Sequence, residues 1–169
     1  MSNTIYLSFG SNLGDRENNL IRGCEMVRSL EGMEFISCSP IYLSPAVEME
    51  EGAPDFLNMV GKGEYQFTPL ELLNSLETIE RKFGHREKGS YKPRFLDIDI
   101  LLFGSEIITD DRLAIPHPRI TERPFVLVPL LQIEPELVHP VTGRKMATYL
   151  GDADRDQILL YKEYAHRKY

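Results

Sequence analysis

The sequence predicts an α+β domain built on a largely antiparallel sheet. Three observations predict it. Segments with strand character and segments with helical spacing follow one another in the order β-α-β-β-α-β. Both helical segments carry their own start signals and lie next to glycine stops. The chain has 169 residues and is 42% hydrophobic, enough for one domain, 1–169, to bury a core without a disulfide or a metal staple.

Each element has a physical reason. Residues 4–9, Thr-Ile-Tyr-Leu-Ser-Phe, are β-branched and aromatic and read as a buried strand. Gly10 to Asp15 is turn chemistry, with Asp15 placed to cap a helix. Leu20, Cys24, Val27 and Leu30 then recur at helical spacing, and Gly32 is expected to end that helix. Residues 33–44 alternate as one strand, with Phe35, Ser37, Ser39, Ile41 and Leu43 on one face and Ile36, Cys38 and Tyr42 on the other. A loop over 45–55 and a strand over 56–66 follow. Thr68-Pro69-Leu70-Glu71 combines a cap, a proline in the first turn and a capping-box glutamate. Leu72, Leu73, Leu76, Ile79 and Phe83 give the second helix its buried stripe, and Gly84 stops it. After a polar loop over 85–93, residues 94–103 read as a strand, turned by Gly104-Ser105 into a short partner at 106–108. Residues 120–133 predict a short helix entered through a proline turn, 156–164 a late strand, and 165–169 a frayed tail. This is the split βαβ, ferredoxin-like order, which implies two helices packed on one face of the sheet.

Composition excludes several functions. The net charge is −7, the reverse of a general nucleic-acid surface, so no nucleic-acid partner is expected. No apolar run approaches the ~18–20 residues of a membrane span, and the N-terminus lacks a signal peptide. Two cysteines cannot form a disulfide framework; Cys24 and Cys38 fit core positions, and a cytoplasmic location and a monomer are expected. The acidity is uneven. Arg81, Lys82, Arg86, Lys88, Lys92 and Arg94 crowd one segment, which suits a small polyanion.

The chemistry concentrates in four places. Asp97-Ile98-Asp99 puts two carboxylates on one face of an apolar strand, where they repel each other and resist desolvation. A divalent cation relieves both penalties, and Mg²⁺ takes one or two carboxylates together with phosphate oxygens. A strand with a solvent face is the bland alternative, but strands are depleted in Asp. The basic segment with His85, Arg86, Lys88, Lys92 and Arg94 leads directly into that pair and suits phosphate. Pro116-His117-Pro118-Arg119, followed by Arg123-Pro124-Phe125, holds an imidazole between prolines, as a phosphate contact, an acid or a surface turn. Phe56-Leu57-Asn58 places a ring and an amide on one strand face, where they could read a heterocycle or belong to the core. His139 lacks charged companions, and both it and His166 read as carrying no chemistry; Glu48, Glu50 and Glu51 read as solvated.

Taken together, these pieces resemble the 6-hydroxymethyl-7,8-dihydropterin pyrophosphokinase family of folate biosynthesis. The resemblance runs from about residue 4 to 150. It is carried by Gly10-Ser11-Asn12-Leu13-Gly14, Pro54-Asp55-Phe56-Leu57-Asn58, Pro93 to Leu101, Ile115-Pro116-His117-Pro118, and Arg123 with Phe125. It implies a three-layer α-β-α sandwich with a ferredoxin-like core, and transfer of pyrophosphate from ATP to the pterin hydroxymethyl group. By resemblance, Asp97 and Asp99 hold two Mg²⁺ ions. Phe56 and Phe125 sandwich the pterin, and Asn58 bonds its polar edge near Ser44, Pro45 and Val47. Arg94, His117, Arg112, Arg119 and Arg123 face the phosphates or ribose, with Arg86 and Lys88 from the loop. Leu73, Glu80 and Ile100 match nucleotide-side positions. Two motifs depart from the family: Tyr91-Lys92-Pro93-Arg94 stands for Trp-Gly-Pro-Arg, and Gly84-His85-Arg86 for Gly-Arg. Two other functions use the same features: a metal-dependent phosphohydrolase or nucleotidyltransferase on the Asp pair, and a non-catalytic ferredoxin-like RNA-binding module.

Overall fold

The computed structural model describes residues 1–46, 51–84 and 93–164. Strand β1 (Asn3–Ser11) lies between β5 (Asp97–Phe103) and β4 (Phe56–Tyr65), and both neighbours run antiparallel to it. The other edge of β4 pairs with β2 (Met33–Cys38) and β3 (Ile41–Ser44), and β8 (Leu159–Lys162) extends the sheet beyond β3. Helices α1 (Arg16–Arg28) and α2 (Pro69–Phe83) cover one face. Their Leu20, Cys24, Val27, Leu72, Leu76 and Ile79 pack on Ile5, Leu7, Phe9, Leu57, Met59, Ile98 and Ile100. Helix α3 (Pro124–Ile133) covers part of the other face, where Val126, Leu127 and Leu130 meet Tyr6, Val60, Leu101 and Leu102. The result is the three-layer α-β-α arrangement on a mostly antiparallel sheet.

The helix signals act as read. The Asp15 side chain accepts from the Asn18 amide at 3.1 Å. Thr68 and Glu71 form the reciprocal capping box, and Gly84 ends α2 at φ 144°. The stop of α1 differs. The helix ends at Ser29, whose N–H donates back to Glu25, while Gly32 (φ 78°) makes the turn into β2.

The strand predicted over 33–44 is two strands. Pro40 has no N–H for the ladder, and at the break Ser39 replaces it. The Ser39 N–H donates to the Val60 carbonyl at 2.8 Å, and its hydroxyl accepts from the Val60 N–H at 2.9 Å. A register shift between Phe35 and Ser37 also overturns the predicted faces, because Phe35 and Cys38 pack against the same core.

The strand predicted over 94–103 begins only at Asp97. Ahead of it, Asn12 holds Arg94 in place of a strand neighbour. A second register shift, between Tyr6 and Leu7, turns Leu102 toward α3 rather than toward α1 and α2. Residues 106–108 do not pair with β5. Instead β6 (Ile108–Thr109) pairs with β7 (Ala114–Ile115), because the Asp110 carboxylate accepts from the Arg112 and Leu113 amides and closes that turn. The predicted helix over 120–133 starts at Pro124, with 120–123 in turns. A 3₁₀ turn (Met146–Tyr149) and a short α4 (Asp152–Asp156) complete the described chain.

Candidate active site

Antiparallel register assembles the site on the α3 side of the sheet. Gly10 pairs with Asp97 on one neighbour and with Asn58 on the other. Asp97, Gly10 and Asn58 therefore form one row across three strands, and Ser8 with Asp99 begins the next. Ile98, between the two carboxylates, faces α1 and α2, so Asp97 and Asp99 face the opposite way together.

One end of the row brings together an amide, an aromatic ring and a glycine. Asn58 is buried and donates its amide to the Ser44 hydroxyl at 2.7 Å across the β3–β4 pair. That bond orients the amide and leaves its oxygen toward Gly10: a methyl on Gly10 would lie 3.6 Å from Asn58 Oδ1 and 3.5 Å from the Phe56 ring. With no side chain at Gly10, that space remains open. Phe125 is half-buried in the first turn of α3, and Pro45 is exposed beside Ser44. Val47 lies outside the described residues.

The other end is charged. Arg94 Nη1 meets Asp97 Oδ2 at 2.7 Å. Arg123 Nη1 and His117 Nε2 approach Asp99 Oδ2 at 3.8 and 3.9 Å. Arg123 also lies over the Phe125 ring at 5.6 Å, and its Nε is buried without a hydrogen-bond partner among the described residues. His117 is anchored by its own N–H, which donates to the Leu101 carbonyl, and its Nδ1 accepts from the Arg119 amide at 3.1 Å. The proton of the neutral ring therefore sits on Nε2, toward Asp99. Burial pushes the imidazole down to about 4, and the Arg123 guanidinium adds to the shift.

A cleft of about 270 Å³ continues from Asp99 along the outer edge of β5. Leu73, Glu77, Glu80, Arg81, Gly84, Ile98 and Arg112 line it. Glu80 accepts the Ile98 N–H at 2.9 Å, satisfying an edge-strand donor between the two carboxylates. Arg112 bonds Glu77 and Asn74. Ile100 does not line the cleft. The residue is 5% exposed, its side chain in the core beneath α1 and α2. Arg119 pairs with Glu122 at 3.4 Å. Arg86 and Lys88, like His85 and Lys92, lie outside the described residues.

Sequence reasoning passed over Glu77 and Asn74, and took Arg81 only as part of the basic segment. Helical spacing from Leu73 and Glu80 would have found Glu77 and Arg81 on the same face of α2. His139, read as carrying no chemistry, accepts the Val141 and Thr142 amides of its own turn on Nδ1.

Residues 6–135 match the sequence family of 7,8-dihydro-6-hydroxymethylpterin-pyrophosphokinases. The chain belongs to that family. A pyrophosphokinase of this name from Aquifex aeolicus is 38% identical over 86% of this chain and 89% of its own length. The Bacillus subtilis counterpart is 33% identical over 96% and 93%. The Pneumocystis carinii folic acid synthesis protein fol1 is 39% identical over 94% of this chain, but the chain spans only 22% of that protein. Among solved structures, an HPPK-DHPS protein in complex with substrates superposes with TM-score 0.70 over 88% of this chain and 42% of its own. A Plasmodium falciparum HPPK-DHPS gives 0.69 over 94% and 46%. Identities of 15% and 13% make these likenesses of fold. Neither the hydrolase reading nor the RNA-binding reading gains support from these matches.

Proposed function

We propose that this chain transfers the pyrophosphoryl group of MgATP to the hydroxymethyl oxygen of 6-hydroxymethyl-7,8-dihydropterin. The products are the pterin diphosphate and AMP, in a step of folate biosynthesis. The observation that carries the reading is the row Asp97–Gly10–Asn58. Two strand spacings, about 10 Å, separate a carboxylate pair from an amide beside an aromatic ring. That span suits a heterocycle at one end and a polyphosphate at the other, with the hydroxymethyl group between them. Family membership and the names of the full-length bacterial relatives support the same reaction.

The pterin ring would lie over Gly10, between Phe56 and Phe125, with its polar edge on the Asn58 amide. Asp97 and Asp99 would hold two Mg²⁺ ions. Their chemistry fits these ions. Both are hard oxygen donors on one face, and among the described residues no cluster of three or more His, Cys, Asp or Glu offers a fully protein-made site. When bound, the ions supply charge neutralisation along the phosphates. Arg94, His117 and Arg123 would contact phosphate oxygens, the Arg123 Nε, without a partner among the described residues, being ready to donate. The cleft along α2 would take the nucleoside, against Leu73, Glu80 and Arg112. The chain's part is position and charge for an in-line attack on the β-phosphorus, with no covalent intermediate. We place this activity in a cytoplasmic monomer; no described helix is long and apolar enough to cross a membrane.

The test is a product assay with ATP, Mg²⁺ and the pterin, omitting each in turn. AMP forming only with all three supports the reading. ADP or phosphate released without pterin would replace it with the hydrolase reading.

A further inference from the structure

We infer that Asn12 is a positioning residue that ties the pterin-binding half of the site to the phosphate-binding half. The inference rests on the function proposed above. Asn12 directly follows the central strand, and it is fully buried. Three of its bonds reach across the site. Its N–H donates to the Arg94 carbonyl at 3.0 Å, and its Oδ1 accepts the Arg94 N–H at 2.7 Å. Its Nδ2 donates to the Pro54 carbonyl at 3.1 Å. Arg94 leads into Asp97 and Asp99, while Pro54 leads into Phe56 and Asn58. One amide thus holds the segments that enter both binding strands, from opposite sides.

The neighbouring turn keeps that amide in place. Asn19 donates to the Leu13 carbonyl at 3.0 Å and to the Ser11 hydroxyl at 3.4 Å. Arg16 Nη1 donates to the Asp55 carbonyl at 2.9 Å, a second tie on the pterin side. No other residue in these bonds joins both halves. A buried amide suits this position because it donates and accepts at once, and losing either bond buries an unpaired backbone group. Ordering one half by its ligand therefore orders the other half, and each substrate tightens the binding of its partner.

The experiment measures pterin affinity by calorimetry with and without Mg²⁺ and α,β-methylene-ATP, in wild type and Asn12→Ala. It is run well below the unfolding temperature of both proteins. The expected result is tighter pterin binding with the nucleotide in wild type, and a coupling factor reduced about tenfold in the variant. A role in stability alone would lower the unfolding temperature and leave that factor unchanged, which would overturn the inference. No coupling in wild type would overturn it as well.

Should Asn12→Ala fail to fold, hydrogen exchange on wild type gives the same answer. Pterin alone should slow exchange at the Arg94 amide, and the nucleotide analogue alone should slow it across 55–58. Protection confined to each ligand's own half would refute the coupling. AMP formation by wild type tests the function separately. If AMP forms and coupling is unchanged in the variant, this inference alone fails; if wild type neither binds pterin nor forms AMP, both fail.

Discussion

His117 makes stability depend on pH in a calculable way. Its side chain is 18% exposed, and burial, with help from Arg123, lowers its pKa from 6.5 to about 4. The unfolded chain takes up a proton near pH 6.5, and the native ring resists until about pH 4. Between those values the unfolded state binds more protons, so stability rises with pH and is lost as pH falls. At 1.36 kcal/mol per pH unit, the loss reaches about 2.5 kcal/mol by pH 4.5 and about 3 kcal/mol below pH 4. His117→Gln keeps a neutral donor and removes this dependence. Urea unfolding of both proteins at pH 7.5, 6.5, 5.5 and 4.5 isolates the effect, because the other titrating groups are common to the two. Relative to the variant, wild type should weaken by about 2.5 kcal/mol across the series. A difference constant within about 0.5 kcal/mol would show that the ring is not buried as described. The same geometry keeps the imidazole neutral near pH 7, so its Nε2 proton, not a full charge, faces Asp99, where the proposed function would put the phosphates.

Asp97→Asn or Asp99→Asn should lower turnover at saturating Mg²⁺ about a hundredfold or more, as loss of a principal charge-stabilising group does; near-wild-type rates would refute the metal role. Phe125→Ala should weaken pterin binding about tenfold and ATP binding far less, which calorimetry on each ligand would test. Gly10→Ala meets only ordinary contacts with Phe56 and Asn58, so the unfolding temperature should hold while pterin affinity falls; unchanged affinity would remove the ring from that floor. Cys38, half-buried, should react with an aromatic disulfide reagent well before Cys24, whose thiol is pushed up by its hydrogen bond to Cys38 and by burial; equal rates would contradict this packing.

The legible parts of the molecule were those fixed by local chemistry. Thr68, Pro69 and Glu71 announce α2 because a capping box needs only neighbouring residues. The shared face of Asp97 and Asp99 is legible because alternation alone produces it. The misread parts depend on partners distant in sequence. The break at Pro40 is stabilised by Ser39 bonding Val60 across the sheet. Phe35 and Cys38 come to share a face because of a register shift against β4, which no single strand's pattern reveals. Asn12 looked like a turn residue because its three bonds run to Arg94 and Pro54, 82 and 42 positions away.

The place of the site follows from element lengths. Apolar side chains on the α1–α2 face continue to the strand ends, through Phe9, Leu57 and Ile98. On the opposite face they reach Tyr6, Val60 and Leu101, and then Gly10, Asn58, Asp97 and Asp99 take over. Helix α3 has 10 residues, and β4 also has 10. The helix is about 15 Å long and the strand about 33 Å, so even laid along it α3 covers less than half of its length. Apolar residues in the remainder would face water without a partner. Polar residues there are satisfied in other ways: Asp97 and Asp99 keep part of their surface in water, and the buried Asn58 amide bonds Ser44. A period of two lets each strand present an unbroken core to one side and a binding surface to the other, so the carboxylates and the Asn58 amide cost the main core nothing.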